Sequence, residues 1–332
     1  LFSKKLLRMI LVTGATGFLG AELVKQLAAH GKPLRCIKRT TSVIPQSLQA
    51  YASLIDWVDA DITDIISMED AMQDIEQVYH CAAWVSFRQA DKEPMIYTNV
   101  NGTANVVNLC LQQQARLVHV SSIAAIGQAK ENELITEKHY IEETPADNVY
   151  AISKLESEME VWRGVAEGLD AVVVNPSLII GASAGTDGSG QLFETVRKGL
   201  SYYTRGSCGL VDVEDVARCM IALMDTDISD ERYIINSENW EYKRLTTYIA
   251  QKFGVKPPAK EAKPWMLEMA WRSAALWGGI TGKPPAIDKI AARSASEVQN
   301  YDNSKIKKAI GIEFKPIDQT LDEIVSALKP SN

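Results

Sequence analysis

In the stretch NVYAISKLESE, Asn148–Glu158, a tyrosine at 150 stands four residues ahead of a lysine at 154. Side chains four apart share one face of a helix, with about 5–6 Å between their Cβ atoms. A free phenol titrates near ~10 and gives up its proton reluctantly at neutral pH, and a neighbouring ammonium favours the phenolate and lowers that value. The pair is therefore either a tuned acid or two unrelated surface groups. A second stretch, LVTGATGFLG over Leu11–Gly20, places Gly14, Gly17 and Gly20 in a T-G-x-x-G-x-x-G pattern. Gly14 permits a tight turn, Gly17 lets the backbone approach a pyrophosphate, and Gly20 lets a helix pack closely on a sheet. The N–H groups of that helix's first turn then face the anion. A glycine triplet gains meaning from a strand before it and a helix after it, which is the context here.

About 20 residues beyond such a turn, an acid usually accepts from the ribose 2′-hydroxyl of NAD. This chain offers RCIKRTTS there, with Lys38 and Arg39 and no acid. Cations suit a 2′-phosphate, so NADP(H) is favoured over NAD(H), against the plainer reading of two solvated charges. Further on, DADIT supplies Asp61, an acceptor for an adenine amino group or simply a turn acid. Cys81 and Cys208 lie in no visibly basic setting, so buried structural thiols are expected rather than nucleophiles.

These groups need a frame. Short apolar runs recur at Ile10–Thr13, Leu34–Ile37, Ile55–Val58, Val78–Cys81, Leu117–Val120 and Ala171–Val174. Stretches with helical spacing, such as Leu19–Leu27 and Val100–Leu111, lie between them. Alternating strand and helix predicts an α/β fold with a Rossmann-type doubly wound parallel sheet. SMED, Ser67–Asp70, predicts a helix start. After Pro176 the rhythm breaks: GASAGTDGSG (Gly181–Gly190) reads as a flexible loop, RYIIN as a short alternating run and KRLTTYIAQKFG as a helix. The division expected is a nucleotide-binding domain over 1–175 and a smaller, mainly helical substrate region over 176–332. Segments near 209–218 and 232–237 are expected to return to the sheet, and linkers are expected at Pro257–Pro258 and Pro284–Pro285.

At 332 residues, 46% hydrophobic and 23% charged, the composition is that of an ordinary globular protein. A net charge of −7 argues against a nucleic-acid partner. Five cysteines without a C-x-x-C pair suggest reduced thiols and a cytoplasmic setting. Four scattered histidines lack metal-ligand spacing, and no metal is expected. No run approaches the ~20 apolar residues of a membrane span. The basic start resembles a signal peptide only briefly, because its apolar run passes straight into the glycine turn; residues 1–8 read as an extension before Met9.

Taken together, TGATGFLG, DADITD, YHCAA (Tyr79–Ala83), NVNGTANVV from Asn99, VSSIAAIG (Val120–Gly127), YAISK, NPSLIIG (Asn175–Gly181) and VDVEDVA (Val211–Ala217) resemble the extended short-chain dehydrogenases/reductases. The segments keep the family's order over nearly the whole chain. Within it, NPSLIIG and the spacing around HCAAWVSF lean toward the branch of dihydroflavonol 4-reductase and 3β-hydroxysteroid dehydrogenase. The resemblance implies that Tyr150 is the acid/base, Lys154 its electrostatic partner and Ser122 the hydrogen-bond donor to the substrate oxygen. Ser121 is the rival serine; Ser122 is preferred because it lies five residues before Gly127. Asn99 is implied near the active site, ordering the helix of Tyr150 and Lys154, unless it is only a helix-capping amide. The implied cofactor set is Gly14, Thr16, Gly17, Phe18, Leu19, Gly20, Lys38, Arg39, Asp61, Ile62, Ala82, Ala83, Tyr150, Lys154, Pro176, Ser177 and Leu178. VDVEDVA is implied to tie the substrate region to the sheet.

The expectation is an NADP(H)-dependent oxidoreductase interconverting a carbonyl and a secondary alcohol on a small, hydrophobic substrate. Two alternatives stand beside it: a nucleotide-sugar epimerase or dehydratase with tightly bound NAD, and a non-catalytic cofactor-binding sensor. A homodimer is a family expectation. The segment KPWMLEMAWRSAALWGGITGKPP, with Trp265, Trp271 and Trp277, has three readings: a substrate wall, a membrane-grazing helix, or core packing, the last preferred because the tryptophans keep no single helical face.

Overall fold

The computed structural model describes residues 9–86, 89–130, 133–141, 148–185, 188–281 and 289–329. In chain order the first strands are β1 (Met9–Thr13), β2 (Leu34–Lys38), β3 (Ile55–Asp59), β4 (Ile75–His80), β5 (Arg116–Val120) and β6 (Ala171–Pro176). Then follow β7 (Leu178–Ile180), β8 (Tyr202–Tyr203), β9 (Ser207–Asp212), β10 (Glu231–Ile235), β11 (Glu238–Glu241) and β12 (Lys260–Glu261). The helices are α1 (Phe18–Ala29), α2 (Ile65–Ala71), α3 (Lys92–Gln113), α4 (Val149–Ala166), α5 (Gly190–Arg197) and α6 (Val213–Met224). After them come α7 (Tyr242–Phe253), α8 (Pro264–Thr281), α9 (Lys289–Ser294), α10 (Ser304–Ile310) and α11 (Ile317–Leu328).

Seven strands form one parallel sheet in the order β10-β6-β5-β4-β1-β2-β3. All six apolar runs are strands of it; the central ones are apolar throughout because both faces are covered, whereas the edge strand β3 exposes Asp56 and Asp59. β6 displays the two faces: Val172 and Val174 point into one cluster with Leu23, Leu27 and Met220, while Val173 points into the other with Val106, Val107 and Val161. Each such side chain contributes about 1.5–3 kcal/mol when buried. The order reverses between β1 and β4, and at that switch point the carboxyl ends of the strands leave a crevice for a ligand.

The RYIIN run is β10, the seventh strand. Of the segment near 209–218, expected back in the main sheet, the strand part lies in β9, which pairs instead with β7 and β11 in a separate three-stranded sheet. The connection to the main body is made by α6, which packs against α1. Asp212 accepts from the Glu214 N–H at 2.8 Å and from the Thr320 hydroxyl at 2.7 Å, while Asp215 accepts from the Lys315 N–H at 2.7 Å. VDVEDVA thus joins α6 to the C-terminal strand–helix segment, and a third cluster of Phe193, Leu210, Trp240, Leu245 and Ile324 fills that region.

Three local expectations change. α2 starts at Ile65, not at Ser67, because Asp64 caps it by accepting from the Ile66 N–H; the Ser67 hydroxyl sits inside the helix and donates to the Asp64 carbonyl. The glycine-rich loop after Gly181 holds a short 3₁₀ turn, Ala182–Ala184, before α5. The described start of the tryptophan segment is not core: Trp265 and Met269 on α8 are 60% and 62% exposed, and Trp271 is half-buried. Among the described residues α8 packs mainly on α9. The side chain of Trp277 and the Pro284–Pro285 linker lie outside the described residues, as do residues 1–8. No described helix is long and apolar enough to cross a membrane.

Candidate active site

The glycine turn is built as its spacing requires. Gly14 has φ +66°, and a Cβ there would lie 2.6 Å from the Ala82 nitrogen. A Cβ on Gly20 would lie 2.2 Å from the Gly14 carbonyl oxygen. The Gly17 N–H donates to that carbonyl at 2.9 Å, and Gly17 stands at the N-cap of α1 with no side chain capping the first turn. The result is a backbone cradle at a helix N-terminus, with Thr16, Phe18 and Leu19 on its rim. The cradle fits the pyrophosphate of a dinucleotide: the missing side chains let the turn fold tightly against Ala82 and α1, and no side chain caps the first-turn N–H groups that would meet the anion.

Around this cradle the sheet presents the other residues at its carboxyl edge. Lys38 ends β2 and forms an ion pair with Asp59, its neighbour in the β2–β3 register. Arg39 is exposed and makes no ion pair among the described residues. The two cations are therefore not equivalent. After β3, Asp61 accepts from both the N–H and the hydroxyl of Thr63, at 2.9 and 2.7 Å, so one of its oxygens is engaged in a turn. Ile62 is buried, and its carbonyl accepts from Asn105 of α3. Beyond β4, the Ala82 N–H donates to the Thr13 hydroxyl at 3.1 Å, which holds Ala82 and Ala83 beside the glycine turn.

β5 delivers the serines. Ser121 points away from the cleft and donates to Glu158 at 2.6 Å. The Ser122 oxygen accepts from the Ala124 N–H at 3.1 Å and its side chain is hydrogen-bonded to the Tyr150 phenol. Of the two candidates, Ser122 is the one brought to the tyrosine. Tyr150 lies in the first turn of α4, whose N-cap is Asn148, accepting from the Ala151 N–H at 3.2 Å. Burial raises the Tyr150 pKa above the ordinary phenol value, and the Ser122 bond opposes the rise only in part.

Lys154 is 5% exposed, and its ammonium donates to the Val120 carbonyl at 3.0 Å. Burial pulls its pKa down to about 8 against the pull of Cys81 and Glu158. Against the expectation of a phenol made more acidic, burial leaves the Tyr150 pKa raised in the free protein. Lysine and serine segment are bonded, and burial dominates the phenol, which stays protonated at neutral pH.

Asn99 is no helix cap, since it lies well inside α3. Its side chain accepts from the Trp84 N–H at 2.7 Å and donates to the Trp84 carbonyl at 2.9 Å and to the Ser153 hydroxyl at 3.1 Å. Ser153 in turn donates to the Tyr150 carbonyl at 2.9 Å. Asn99 therefore ties the loop after β4 to the turn that carries Tyr150. Beneath Lys154 lie two buried histidines with ring centroids 5.2 Å apart. His80 sits between Thr13 at 2.7 Å and Thr103 at 3.1 Å, and burial holds its pKa down near about 3, so it is neutral.

Past β6, Pro176 pairs in register with Ile235, and the Ser177 N–H donates to the Ile235 carbonyl at 3.0 Å. The Ser177 hydroxyl is buried without a partner among the described residues, and Leu178 opens β7 half-buried. Burial pushes both the Cys81 and Cys208 thiols up to about 12, which makes them poor nucleophiles. Sequence reasoning passed over Glu158, Arg232 and the Asn175 side chain, which meet behind the serines. The one signal available was that Glu158 continues the four-residue spacing of Tyr150 and Lys154.

With this geometry in view, comparison with known proteins places the chain. Residues 10–236 match the NAD dependent epimerase/dehydratase family. A Synechocystis protein named "Putative dihydroflavonol 4-reductase" is 30% identical over 327 residues, covering 95% of this chain and 92% of the relative. Cinnamoyl-CoA reductase 1 of Petunia hybrida is 26% identical over 97% of this chain and 92% of its own. Among solved structures, gox2253 superposes with a TM-score of 0.82 at 25% identity, over 96% of this chain and 97% of that one. The chain belongs to the NAD dependent epimerase/dehydratase family, among the extended short-chain dehydrogenases/reductases.

Proposed function

We propose that this protein is an NADP(H)-dependent reductase that converts a carbonyl group of a small, hydrophobic substrate to a secondary alcohol. One observation carries the reading: of the two serines that follow β5, Ser122 is the one whose side chain bonds the Tyr150 phenol, in the first turn of α4. When bound, the reduced nicotinamide supplies the hydride. Tyr150 holds the proton that the substrate oxygen must receive as it becomes negative, and burial keeps that proton in place at neutral pH. Ser122 donates to the same oxygen and stabilises the developing charge. Lys154 holds Val120 and, as an ammonium, presents a donor for ribose hydroxyls. Gly14, Thr16, Gly17, Phe18, Leu19 and Gly20 would hold the pyrophosphate; Asp61 and Ile62 the adenine; Ala82, Ala83, Pro176, Ser177 and Leu178 the nicotinamide side. The substrate class rests on the relatives' names, which include a tetraketide alpha-pyrone reductase, an anthocyanidin reductase and a cinnamoyl-CoA reductase.

The preference for the phosphorylated cofactor rests on Arg39. Lys38 is neutralised by Asp59, so the cation left to meet a 2′-phosphate at the end of β2 is Arg39. The competing reading is a nucleotide-sugar epimerase, and a Thermotoga maritima UDP-glucose 4-epimerase shares the fold with a TM-score of 0.76 at 20% identity. That chemistry needs cations for a nucleotide diphosphate beyond Gly181. Arg197, Lys198 and Arg205 are there; Arg197 and Arg205 are each paired with an acid, Glu194 and Glu261, whereas exposed Lys198 makes no ion pair among the described residues. The test is a panel of ketones, a dihydroflavonol among them, each with free NADPH and free NADH. Stoichiometric oxidation of NADPH by a member of the panel is expected; epimerisation of a UDP-sugar with no net use of added cofactor would overturn the reading.

A further inference from the structure

Behind the serines lies a buried network that the proposed reaction does not itself use. Glu158 is 1% exposed, one helical turn beyond Lys154. Its Oε1 accepts from Arg232 at 3.0 Å and from the Trp162 indole at 3.2 Å. Its Oε2 accepts from the Ser121 hydroxyl at 2.6 Å and from the Asn175 amide at 2.8 Å. The same Asn175 amide donates to the Ser122 carbonyl at 3.0 Å. Arg232, on the edge strand β10, spends its remaining donors on the Glu137 and His139 carbonyls. Every described contact of this carboxylate and guanidinium is therefore internal.

A buried ion pair is weak evidence for stability, because desolvating both charges offsets most of their attraction. Its position is more informative. Val120 is the last residue of β5, and Ser121 makes one further backbone bond, to the Val174 carbonyl at 2.8 Å. Where the ladder ends, side chains take over. The Val120 carbonyl is held by Lys154, the Ser121 hydroxyl by Glu158, and the Ser122 carbonyl by Asn175, which Glu158 orients. Two of these anchors sit four residues apart on α4, the helix that carries Tyr150 in its first turn. Tyrosine, lysine and glutamate at 150, 154 and 158 thus form one stripe that reads along the serine segment.

We propose that Glu158, held by Arg232, is a positioning residue that fixes the backbone of Ser121 and Ser122 so that the Ser122 side chain meets Tyr150. Arg232 is the counter-charge that lets the carboxylate stay buried, and Asn175 relays the constraint. The inference rests on the reductase reading for its kinetic consequence, but not for its structural one. Glu158 touches no reacting atom. Its effect must therefore pass through Ser122, which a merely structural residue's effect need not do.

The experiment is a double-mutant cycle. Ser121→Ala removes one bond to Glu158 and leaves the ion pair intact; Glu158→Gln removes the charge. Each is made in the native and in the Ser122→Ala background. Two signals are read: kcat with a dihydroflavonol and NADPH, and the ¹³Cζ NMR shift of Tyr150 at fixed pH, assigned by Tyr150→Phe. In the native background Glu158→Gln is expected to lower kcat about 10- to 100-fold, the scale of a hydrogen bond to a charged group, with KM for NADPH within about twofold. Both variants are expected to move the Tyr150 signal in the direction that Ser122→Ala moves it. In the Ser122→Ala background both effects are expected to shrink below about twofold, since the route is already cut. Equal losses in the two backgrounds, with an unmoved Tyr150 signal, would overturn the proposal. Should Glu158→Gln fail to fold, Ser121→Ala decides by the same criterion. If the native protein reduces no carbonyl, the reductase reading fails, and the NMR cycle still decides the positioning role.

Discussion

At the scale of single residues the site separates groups by environment. Lys154 and Tyr150 stand on one face of one helix, yet burial moves them oppositely: the ammonium is made easier to deprotonate and the phenol harder. In the free protein Lys154 carries its charge below about 8 and loses it as the pH rises through that value. If the ammonium binds ribose, the dissociation constant for NADPH measured by fluorescence should be lowest below that pH and rise above it, with the inflection absent in Lys154→Met. Tyr150, raised rather than lowered, is protonated at neutral pH, so reduction should be flat there. The reverse oxidation, which needs the phenolate, should quicken across the alkaline range. The two cations after β2 give a second contrast. Arg39→Ala should raise KM for NADPH about tenfold or more and leave KM for NADH unchanged, whereas Lys38→Ala should change either by less than about twofold, as expected for losing one charge-assisted contact or none. The tyrosine, lysine, serine and glycines were legible because their spacing is local. The pairing of Lys38 with Asp59 was not, since it depends on which residues the β2–β3 register sets side by side. Nor was the bond between Glu158 and Arg232, which joins residues 74 apart.

Elements place these groups through backbone geometry. The turn from β1 into α1 brings Gly14, Gly20 and Ala82 closer than side chains would allow. Gly20→Ala should cost about 1–3 kcal/mol of stability by overpacking, and NADPH binding should fall with it, read by thermal melting and titration. An alanine at an exposed helical site such as Ser326 should do neither. Asp212 closes β9 and caps α6 while accepting from Thr320 on α11. Asp212→Ala should lower stability by about 1–2 kcal/mol, the worth of an N-cap, and be visible as a lowered melting temperature. Strands were legible from apolar runs because a doubly covered sheet demands them. The start of α2 was displaced because Asp64 and Ser67 both offer capping oxygens, and only the chain path decides which is used. The destination of β9 was also hidden: a fully buried strand looks the same in either sheet.

On the scale of the whole molecule, one parallel sheet carries the proposed chemistry along its carboxyl edge, and the C-terminal region closes over it through α6 and the three-stranded sheet. α8 stands apart, with Trp265 and Met269 largely exposed. Trp265→Ser combined with Met269→Ser should leave the melting temperature nearly unchanged, within the ±0.5 kcal/mol or so typical of surface positions. A large loss would return those residues to the core. The strand order and the switch point could not be read from the chain, because parallel strands of similar composition leave no mark of their neighbours; the crossover rules limit the choices without fixing one. The substrate-facing surface was equally illegible, since the tryptophan spacing fits several environments. What the account asserts above all is that Tyr150 donates the proton. The most direct measurement is a single turnover of native protein and Tyr150→Phe, each saturated with NADPH and mixed with a carbonyl compound that the native protein reduces. The account expects the variant to bind NADPH as the native protein does and to oxidise it about 10²–10⁴ times more slowly; equal rates in the two proteins would contradict it.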